Sequence, residues 1–435
     1  MIQTVCVAGI CESSAALCGF MLGNLIPTPQ FSDHAIPVSE QPAASGFWWE
    51  CLDLGLLLVA LVLASYFALV VRSRRSLFWL SAFSLVWFGF IRQGCVCSVG
   101  SVQNVAYAMT NASYAVPLTV IGFFCLPILF ALYSGRVFCS GVCPLGAIQE
   151  MVAVRNVQIP KWIDHGLGLV PWIYLGAAVI FAASGGMFLI CRYDPFVGFF
   201  RFNGNAGMIL FGTFLLLVGV FVGRPYCRFL CPYGALLSAC SGVSRSNVRI
   251  PPGDCIRCGL CRDACPYGAI EPPTETATDQ EAVSGKRRLM IVFAATPVLI
   301  IGLAIVGYRL GPALSGLEFD VQLASQLQHE AVDPQWPTND ASDAFRAAQG
   351  DADQLLLDAV ATQHRYRYAG VGLGVWIALV VVGKSVSLCR RRQQDEFVAD
   401  RSACVSCGRC FEYCPVEHAK QGVVGLPTIQ GEHRP

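Results

Sequence analysis

Two matched runs of four cysteines dominate the chemistry open to this chain. Cys255, Cys258, Cys261 and Cys265 precede Pro266, and Cys404, Cys407, Cys410 and Cys414 precede Pro415. Both read C-x2-C-x2-C-x3-C-P, a spacing that wraps [4Fe–4S] clusters. Three thiolates two residues apart can hold a cubane on a tight loop, while the fourth points away and completes the partner cluster. Cys414 would then close the cluster begun by Cys255, Cys258 and Cys261, and Cys265 the one begun by Cys404, Cys407 and Cys410. Gly259 and Gly408 occupy matching places where the backbone must come close to a sulfide. A four-cysteine zinc site is the competing metal centre, but zinc ordinarily takes two separated C-x2-4-C pairs.

A second pattern, C-x3-C-P, occurs at Cys139/Cys143/Pro144 and at Cys227/Cys231/Pro232. Each copy supplies two ligands, half a cubane; brought together they would supply four and hold a third cluster. The alternative is a redox-active or structural thiol pair. Both copies lie in an internal repeat: GRVFCSGVCPLGAIQE from Gly135 and GRPYCRFLCPYGALLS from Gly223 match at Gly, Arg, both Cys, Pro, Gly and Ala. Upstream lie Cys95 and Cys97 in one copy and Cys191 in the other. Those three thiols either hold an outer-side cofactor or pack as small apolar residues. A membrane core of about 30 Å is too wide for one electron hop, so a relay across it needs such an intermediate. Cys6, Cys11, Cys18, Cys51 and Cys125 carry no assigned role, and Cys240 and Cys389 read as packing residues. In the stretch Cys191-Arg192-Tyr193-Asp194-Pro195-Phe196, Asp194 and Arg192 could serve quinone protonation; an interfacial ion pair is the plainer reading. Lys384 reads as a snorkelling side chain.

The elements that must position these groups are set by composition. The chain is 54% hydrophobic and 14% charged, against about 25% charged residues in soluble domains, so membrane spans are expected. Mean hydropathy is +0.54. A net charge of +1 gives no basis for nucleic-acid binding. The 22 cysteines fall in clusters in a long apolar chain, which points to metal ligation and away from a secreted disulfide scaffold. Apolar windows near the length of about 20 residues that a bilayer demands run over Leu52–Val71, Leu77–Ile91 (short), Ala115–Ser134, Gly166–Ile190, Asn205–Val222, Met290–Tyr308 and Ala369–Leu388.

The predicted fold class is an all-α integral membrane protein of about seven transmembrane helices with an internal hairpin repeat. A small α+β two-cluster domain on the cytoplasmic side completes it. Its segments are an N-terminal outer segment (1–50), a transmembrane core with the repeat (51–250), the first cluster segment (251–285) and a span (286–309). An acidic outer segment (310–367), a further span (368–389) and the second cluster segment (390–435) follow. Residues 1–23 lack a basic n-region and an A-x-A site, so they read as mature chain. Basic residues gather in Arg72–Arg75, Arg136–Lys161, Arg224–Arg249 and Arg390–Arg392, whereas nothing before Trp49 is Lys or Arg. The positive-inside rule then puts the N-terminus outside and the C-terminus, with every cysteine run of the C-x2-C-x2-C-x3-C-P type, in the cytoplasm of a bacterial inner membrane. Leu310–Thr362, acidic and with a helical run predicted over Asp340–His364, reads as a solvated cap; docking of a periplasmic partner is the alternative.

The six histidines include no pair at matching depth on two spans, which argues against a bis-His haem, and His165 alone lies near the core. No G-x-x-x-x-G-K-[ST] or well-placed G-x-G-x-x-G is present, so neither a built-in ATPase nor an NAD domain is expected.

The doubled GRVFCSGVCP and GRPYCRFLCP, the CRYDPF stretch and the two four-cysteine runs resemble the membrane polyferredoxins of the NosR/NapH type. The resemblance covers roughly Gly94–Ala269 and Ala403–Pro415. It implies a quinol-linked or flavin-linked electron-transfer protein of the bacterial inner membrane with two [4Fe–4S] clusters and one or two more. Its partners would be the lipid bilayer, a quinone or soluble electron donor, and a periplasmic flavoprotein or reductase. The N-terminal segment is too short for the flavin-binding domain of the NosR branch, and two spans with an outer segment are inserted between the cysteine runs. The chain thus reads as an electron-transfer component and not a stand-alone enzyme, with no catalytic residue assigned. The alternatives are an accessory or assembly factor for a respiratory metalloenzyme that uses C-x3-C-P thiols, and a redox sensor.

Overall fold

The computed structural model describes residues 46–420 apart from 95–96, 113, 155–156, 186–187, 251–254, 275–278, 334 and 390–393. Cys6, Cys11, Cys18, Cys95 and the basic Arg390–Arg392 lie outside the described residues, as does nearly all of the N-terminal outer segment.

The fold is almost wholly helical. Among the described residues, four helices are long and apolar enough to cross a membrane: α1 (Phe47–Val71), α5 (Lys161–Ala183), α7 (membrane-length part Ser284–Ser315) and α10 (Ala352–Cys389). Between them stand α2 (Arg74–Ser84), α3 (Ser98–Thr110) and two shorter apolar helices, α4 (Leu118–Ser134) and α6 (Ala206–Gly219). At 1.5 Å per residue, the 17 residues of α4 and 14 of α6 reach about 26 and 21 Å, short of a 30 Å core. The window predicted over Leu77–Ile91 is divided between α2 and a π-helical stretch, Leu85–Ile91. Ile291, Phe293, Val298, Ile301 and Ile305 of α7 are all exposed, as side chains facing lipid would be.

α7 and α10 pack along a line of glycines. A Cβ at Gly307 would come 2.0 Å from the Gly370 carbonyl oxygen, one at Gly370 2.1 Å from that of Gly307, and one at Gly374 2.1 Å from that of Leu303. Only bare backbone permits that approach, and dispersion and polar contacts between close backbones then hold the pair without a hydrophobic driving force. Beyond α7, α8 (Phe319–Val332) and α9 (Asp340–Ala347) form the cap. The helical run predicted over Asp340–His364 is interrupted after Ala347. Gln349 takes a positive φ of 53°, and the Phe345 ring lies where a side chain on Gly350 would stand, so α10 begins afresh at Ala352.

The two cysteine runs, on either side of α7 and α10, meet in a two-stranded antiparallel sheet, β1 (Ile270–Glu271) with β2 (Val398–Ala399). Ile270 pairs with Ala399, and Asp400 N donates to Ala269 O at 2.8 Å. The second run is also tied to the ends of the membrane helices. Arg72, just past α1, donates to Glu417 at 2.9 Å and lies over the Phe411 ring at 5.0 Å.

Asp53 of α1 is fully buried, paired with Arg92 at 2.8 Å and accepting from Trp87 Nε1 at 3.3 Å. A charge so placed is retained only because a cation meets it. Sequence reading passed over this pair, since only the fold brings Arg92 back to α1.

Candidate iron–sulfur sites

The first site gathers Cys255, Cys258 and Cys261 with Cys414, which together with Ile250, Phe397 and Val416 line one small cavity. The second gathers Cys404, Cys407 and Cys410 with Cys265, whose thiol acts electrostatically on all three. Each run's fourth cysteine thus stands beside the first three of the other run. Arg257 and Ser406, each just before the second cysteine of its run, have φ of 54° and 55°, and Gly259 and Gly408 follow at 79° and 76°. The repeated left-handed turn folds the loop back on itself and turns backbone N–H groups inward, so Ser406 N donates to Cys404 Sγ at 3.5 Å. Such N–H···S bonds stabilise a thiolate and tune a cluster potential.

The third site is built by the repeat. Short helices Val137–Gly141 and Pro144–Val152 carry Cys139 and Cys143; Pro225–Phe229 and Pro232–Gly242 carry Cys227 and Cys231. Proline at the start of Pro144–Val152 and of Pro232–Gly242 suits a position that needs no N–H, so each second cysteine ends a turn and caps the next helix. Cys139, Cys143 and Cys231 are buried, and the thiols of Cys139, Cys227 and Cys231 all act on Cys143. Burial, opposed in part by Arg224, leaves the Cys227 thiol pushed up to about 11. Four neighbouring thiols, three of them buried, cannot all ionise beside one another unless positive charge is supplied, and iron would supply it. Among the described residues no three His, Cys, Asp or Glu side chains close around a single ion.

The two copies of the repeat exchange parts. Arg224 of the second copy is buried and donates to Cys139 O of the first, to Ser140 O at 3.3 Å and to Glu150 at 3.1 Å. Reciprocally, the Arg136 guanidinium lies 3.4 Å from the Cβ position of Gly234 and donates to Ser402 O at 3.2 Å. Val157 N bonds Phe221 O at 2.8 Å, and Ser246 N bonds Tyr133 O at 2.8 Å, again one copy to the other. The matched Gly146 and Gly234 leave room at the turns: a Cβ there would sit 2.8 and 3.2 Å from Cys139 O and Cys227 O. Both arginines belong to the matched repeat residues, which was the available signal; their exchange was not legible. Gln149 and Glu150 have no like counterpart in the second copy. Gln149 accepts from Tyr226 N at 2.9 Å and donates to Cys227 Sγ at 3.4 Å. Glu150 binds Arg224, Arg409 and Arg74.

Cys97 and Cys191 meet near the start of α3, where Cys191 Sγ lies 3.2 Å from the Cβ position of Gly100. Burial and the neighbouring Asp194 push the Cys97 thiol up to about 12. Cys97 also acts on Cys231 of the third site. Asp194 is buried and accepts from Phe196 N at 2.8 Å, and burial pushes its carboxyl up to about 6. Arg192 donates to Leu317 O at 3.1 Å and lies over the Tyr193 ring. Cys51 and Cys125 are exposed on α1 and α4.

Helices of membrane length joined to ferredoxin-type cysteine loops define the class: a membrane-bound iron–sulfur protein. Family models described as "4Fe-4S binding domain" match residues 116–162 and 205–251, 248–271, and 404–419. The first of these falls on both copies of the repeat. The chain is similar to the "Putative electron transport protein YccM" of Escherichia coli K12, 28% identical over 185 residues, 38% of this chain and 50% of that protein. It is 25% identical to the "Regulatory protein NosR" of Stutzerimonas stutzeri over 230 residues, 47% of this chain and 32% of that one. It is 29% identical to the "Ferredoxin-type protein NapH" of Haemophilus influenzae over 156 residues, 34% of this chain and 52% of that one. These relatives and domains make the chain similar to the membrane polyferredoxins of the NosR/NapH type. The match spans about half the length of YccM and of NapH, and a third of NosR. No solved structure matches.

Proposed function

We propose that this protein is an electron conduit with three [4Fe–4S] sites in series, held by Cys255/Cys258/Cys261/Cys414, Cys265/Cys404/Cys407/Cys410 and Cys139/Cys143/Cys227/Cys231. The observation that carries this is their order. Cys261 acts on Cys410, joining the first site to the second. Arg224 feels both Cys407 and Cys227, joining the second to the third. Cys97 and Cys191 extend the line toward the opposite membrane edge. The first two sites form a ferredoxin-like two-cluster domain in the cytoplasm. The four membrane-length helices, with the shorter α4, α6 and the Leu77–Ile91 region among them, carry the line to the outer side. The donor is a quinone or a soluble reductant, and the acceptor a periplasmic flavoprotein or reductase. When bound, the clusters supply one-electron storage; the chain spaces them, shields them from water and sets their potentials through N–H···S bonds and the buried arginines. The assembly-factor reading is disfavoured because thiol exchange needs an accessible thiolate, whereas burial raises Cys143, Cys227 and Cys231 well above an ordinary thiol.

The test is iron and acid-labile sulfide on anaerobically purified protein, with EPR through a reductive titration. About twelve irons per chain, four for each of three cubanes, is the expected result. About eight would return the C-x3-C-P cysteines to a thiol role, and zinc in place of iron would end the electron-transfer reading.

A further inference from the structure

A cavity of about 710 Å³ lies between the start of α5, the second half of α10 and the cysteine loops. Its lining changes character along the helix axes. Farthest from the loops it is apolar, where Leu169 and Trp172 of α5 face Trp376 and Leu379 of α10. Trp376 Nε1 donates to Trp172 O at 2.7 Å and fixes the depth of both indoles. Lys384 stands about 12 Å nearer the loops along α10, by the helical rise, and acts electrostatically on His165 at the start of α5. Beyond them, on β1 and just past β2, come the carboxylates of Glu271 and Asp400.

The charges in this lining are unevenly answered. Arg228 pairs with Asp164 at 2.7 Å, and Arg224 with Glu150 at 3.1 Å. Among the described residues no ion pair takes up Lys384, Glu271 or Asp400. Glu271 Oε2 accepts from Gln394 Nε2 at 3.4 Å and Asp400 Oδ1 from Ser402 N at 2.8 Å, so each carboxylate keeps an oxygen for another donor. Arg136, buried in the same lining, donates to Ser402 O at 3.2 Å through Nη1, and its Nε has no partner among the described residues. Lys384 lies on a membrane-length helix, where a cation is retained when an anion meets it.

We infer that this cavity holds one phosphatidylethanolamine molecule. A glycerophospholipid presents acyl chains, then phosphate, then the headgroup alcohol. The cavity presents indoles, then cations, then carboxylates, in the same order. Its apolar end is walled by two membrane-length helices, so the chains can run on into the bilayer. Lys384 and Arg136 donate to the phosphate, as basic pockets between membrane helices do. Glu271 and Asp400 then meet the ethanolamine ammonium, which offers three N–H donors. A choline headgroup has no N–H to give, and a glycerol headgroup brings no cation to two carboxylates. The volume lies within the range of about 300–1,000 Å³ typical of small-molecule sites, room for a headgroup and the upper part of its chains. A lipid seated here ties α5 and α10 to the cysteine loops, which gives the span inserted between the two cysteine runs a purpose beyond the cap.

Native mass spectrometry of full-length, cluster-loaded protein in detergent counts bound lipid as phosphatidylethanolamine, phosphatidylcholine and phosphatidylglycerol are offered in turn. One phosphatidylethanolamine per chain is expected, held about tenfold more tightly than either of the others, as one charge-assisted hydrogen bond implies. Glu271→Gln should remove most of the preference over phosphatidylcholine, and Lys384→Gln should weaken all three lipids. Lys286 is exposed on α7 outside the cavity, and Lys286→Gln should bind as the parent does. Equal retention of the three lipids, preference for phosphatidylglycerol, or equal losses in Lys286→Gln and Lys384→Gln overturns the inference. So does competition by soluble glycerophosphoethanolamine at the lipid's own concentration, which would move the ligand from the bilayer to solution. The parent's lipid preference is read without any substitution, so a variant that fails to fold leaves the test intact.

Discussion

Glu150 and Arg409 lie 259 residues apart in the chain, yet Arg409 Nη2 donates to Glu150 Oε1 at 2.9 Å. One end of this contact is in the first C-x3-C-P turn, the other in the loop between Cys407 and Cys410. Arg224 and Arg74 bind the same carboxylate, so Glu150 holds the second copy of the repeat, the second cysteine run and the α2 helix at one point. Glu150→Gln leaves buried cations without their counter-charge. Removing one member of a buried pair costs about 3–5 kcal/mol, and a lower thermal midpoint with loss of the cluster at Cys404, Cys407 and Cys410 is expected.

The same residue sets a pH window. Burial pushes the Glu150 carboxyl up, but Arg224, Arg409 and Arg74 together outweigh it and hold it below the ordinary carboxylate range. A lowered carboxyl contributes stability that is fully present above its unfolded value and is lost as pH falls through the folded one. Denaturation midpoints should therefore drop as pH falls below about 4.3, the ordinary glutamate value, in the parent, and that part of the drop should be absent in Glu150→Gln.

Exchange of fourth ligands can be read by single substitutions. Cys414→Ser should lose the cluster of Cys255, Cys258 and Cys261 and keep the other; Cys265→Ser should do the reverse. Each removes about four irons, and EPR tells which signal disappears. Loss of the signal belonging to the substituted residue's own run would refute the crossing.

Cys143→Ser combined with Cys231→Ser should lower iron from about twelve to about eight per chain while the ferredoxin-type signals persist. Arg224→Gln takes a buried cation from between the second and third sites. Because positive charge favours the reduced, more negative cluster, its loss should lower both midpoint potentials in an EPR-monitored titration.

Gly370→Leu places a side chain where the Gly307 carbonyl stands, 2.1 Å from its Cβ position. Forcing α7 and α10 apart costs at least about 1–3 kcal/mol by overpacking. Because these helices bring β1 to β2, the first cluster, which needs Cys414 from beyond α10, should be lost before the third. Iron content with site-resolved EPR checks the order.

Local spacing singled out the candidate cluster ligands: a C-x2-C-x2-C loop is short enough that three cysteines must share one neighbourhood whatever surrounds it. The doubled GR-x-x-C-x3-C-P likewise declared two equivalent turns, and the long apolar windows declared membrane helices, because both signals are carried by contiguous residues. Chain spacing could also propose the crossing of Cys265 and Cys414, since the motif itself sends the fourth cysteine away. What only the tertiary structure decided lies between distant segments. The four C-x3-C-P thiols are drawn together where the two copies exchange Arg136 and Arg224. Glu150 gathers three arginines from three parts of the chain, Asp53 meets Arg92, and α10 closes a cavity against α5. The physical reason is the same in each case: a buried charge or a bare glycine backbone is costly until its partner arrives, and which partner arrives is settled by packing over hundreds of residues.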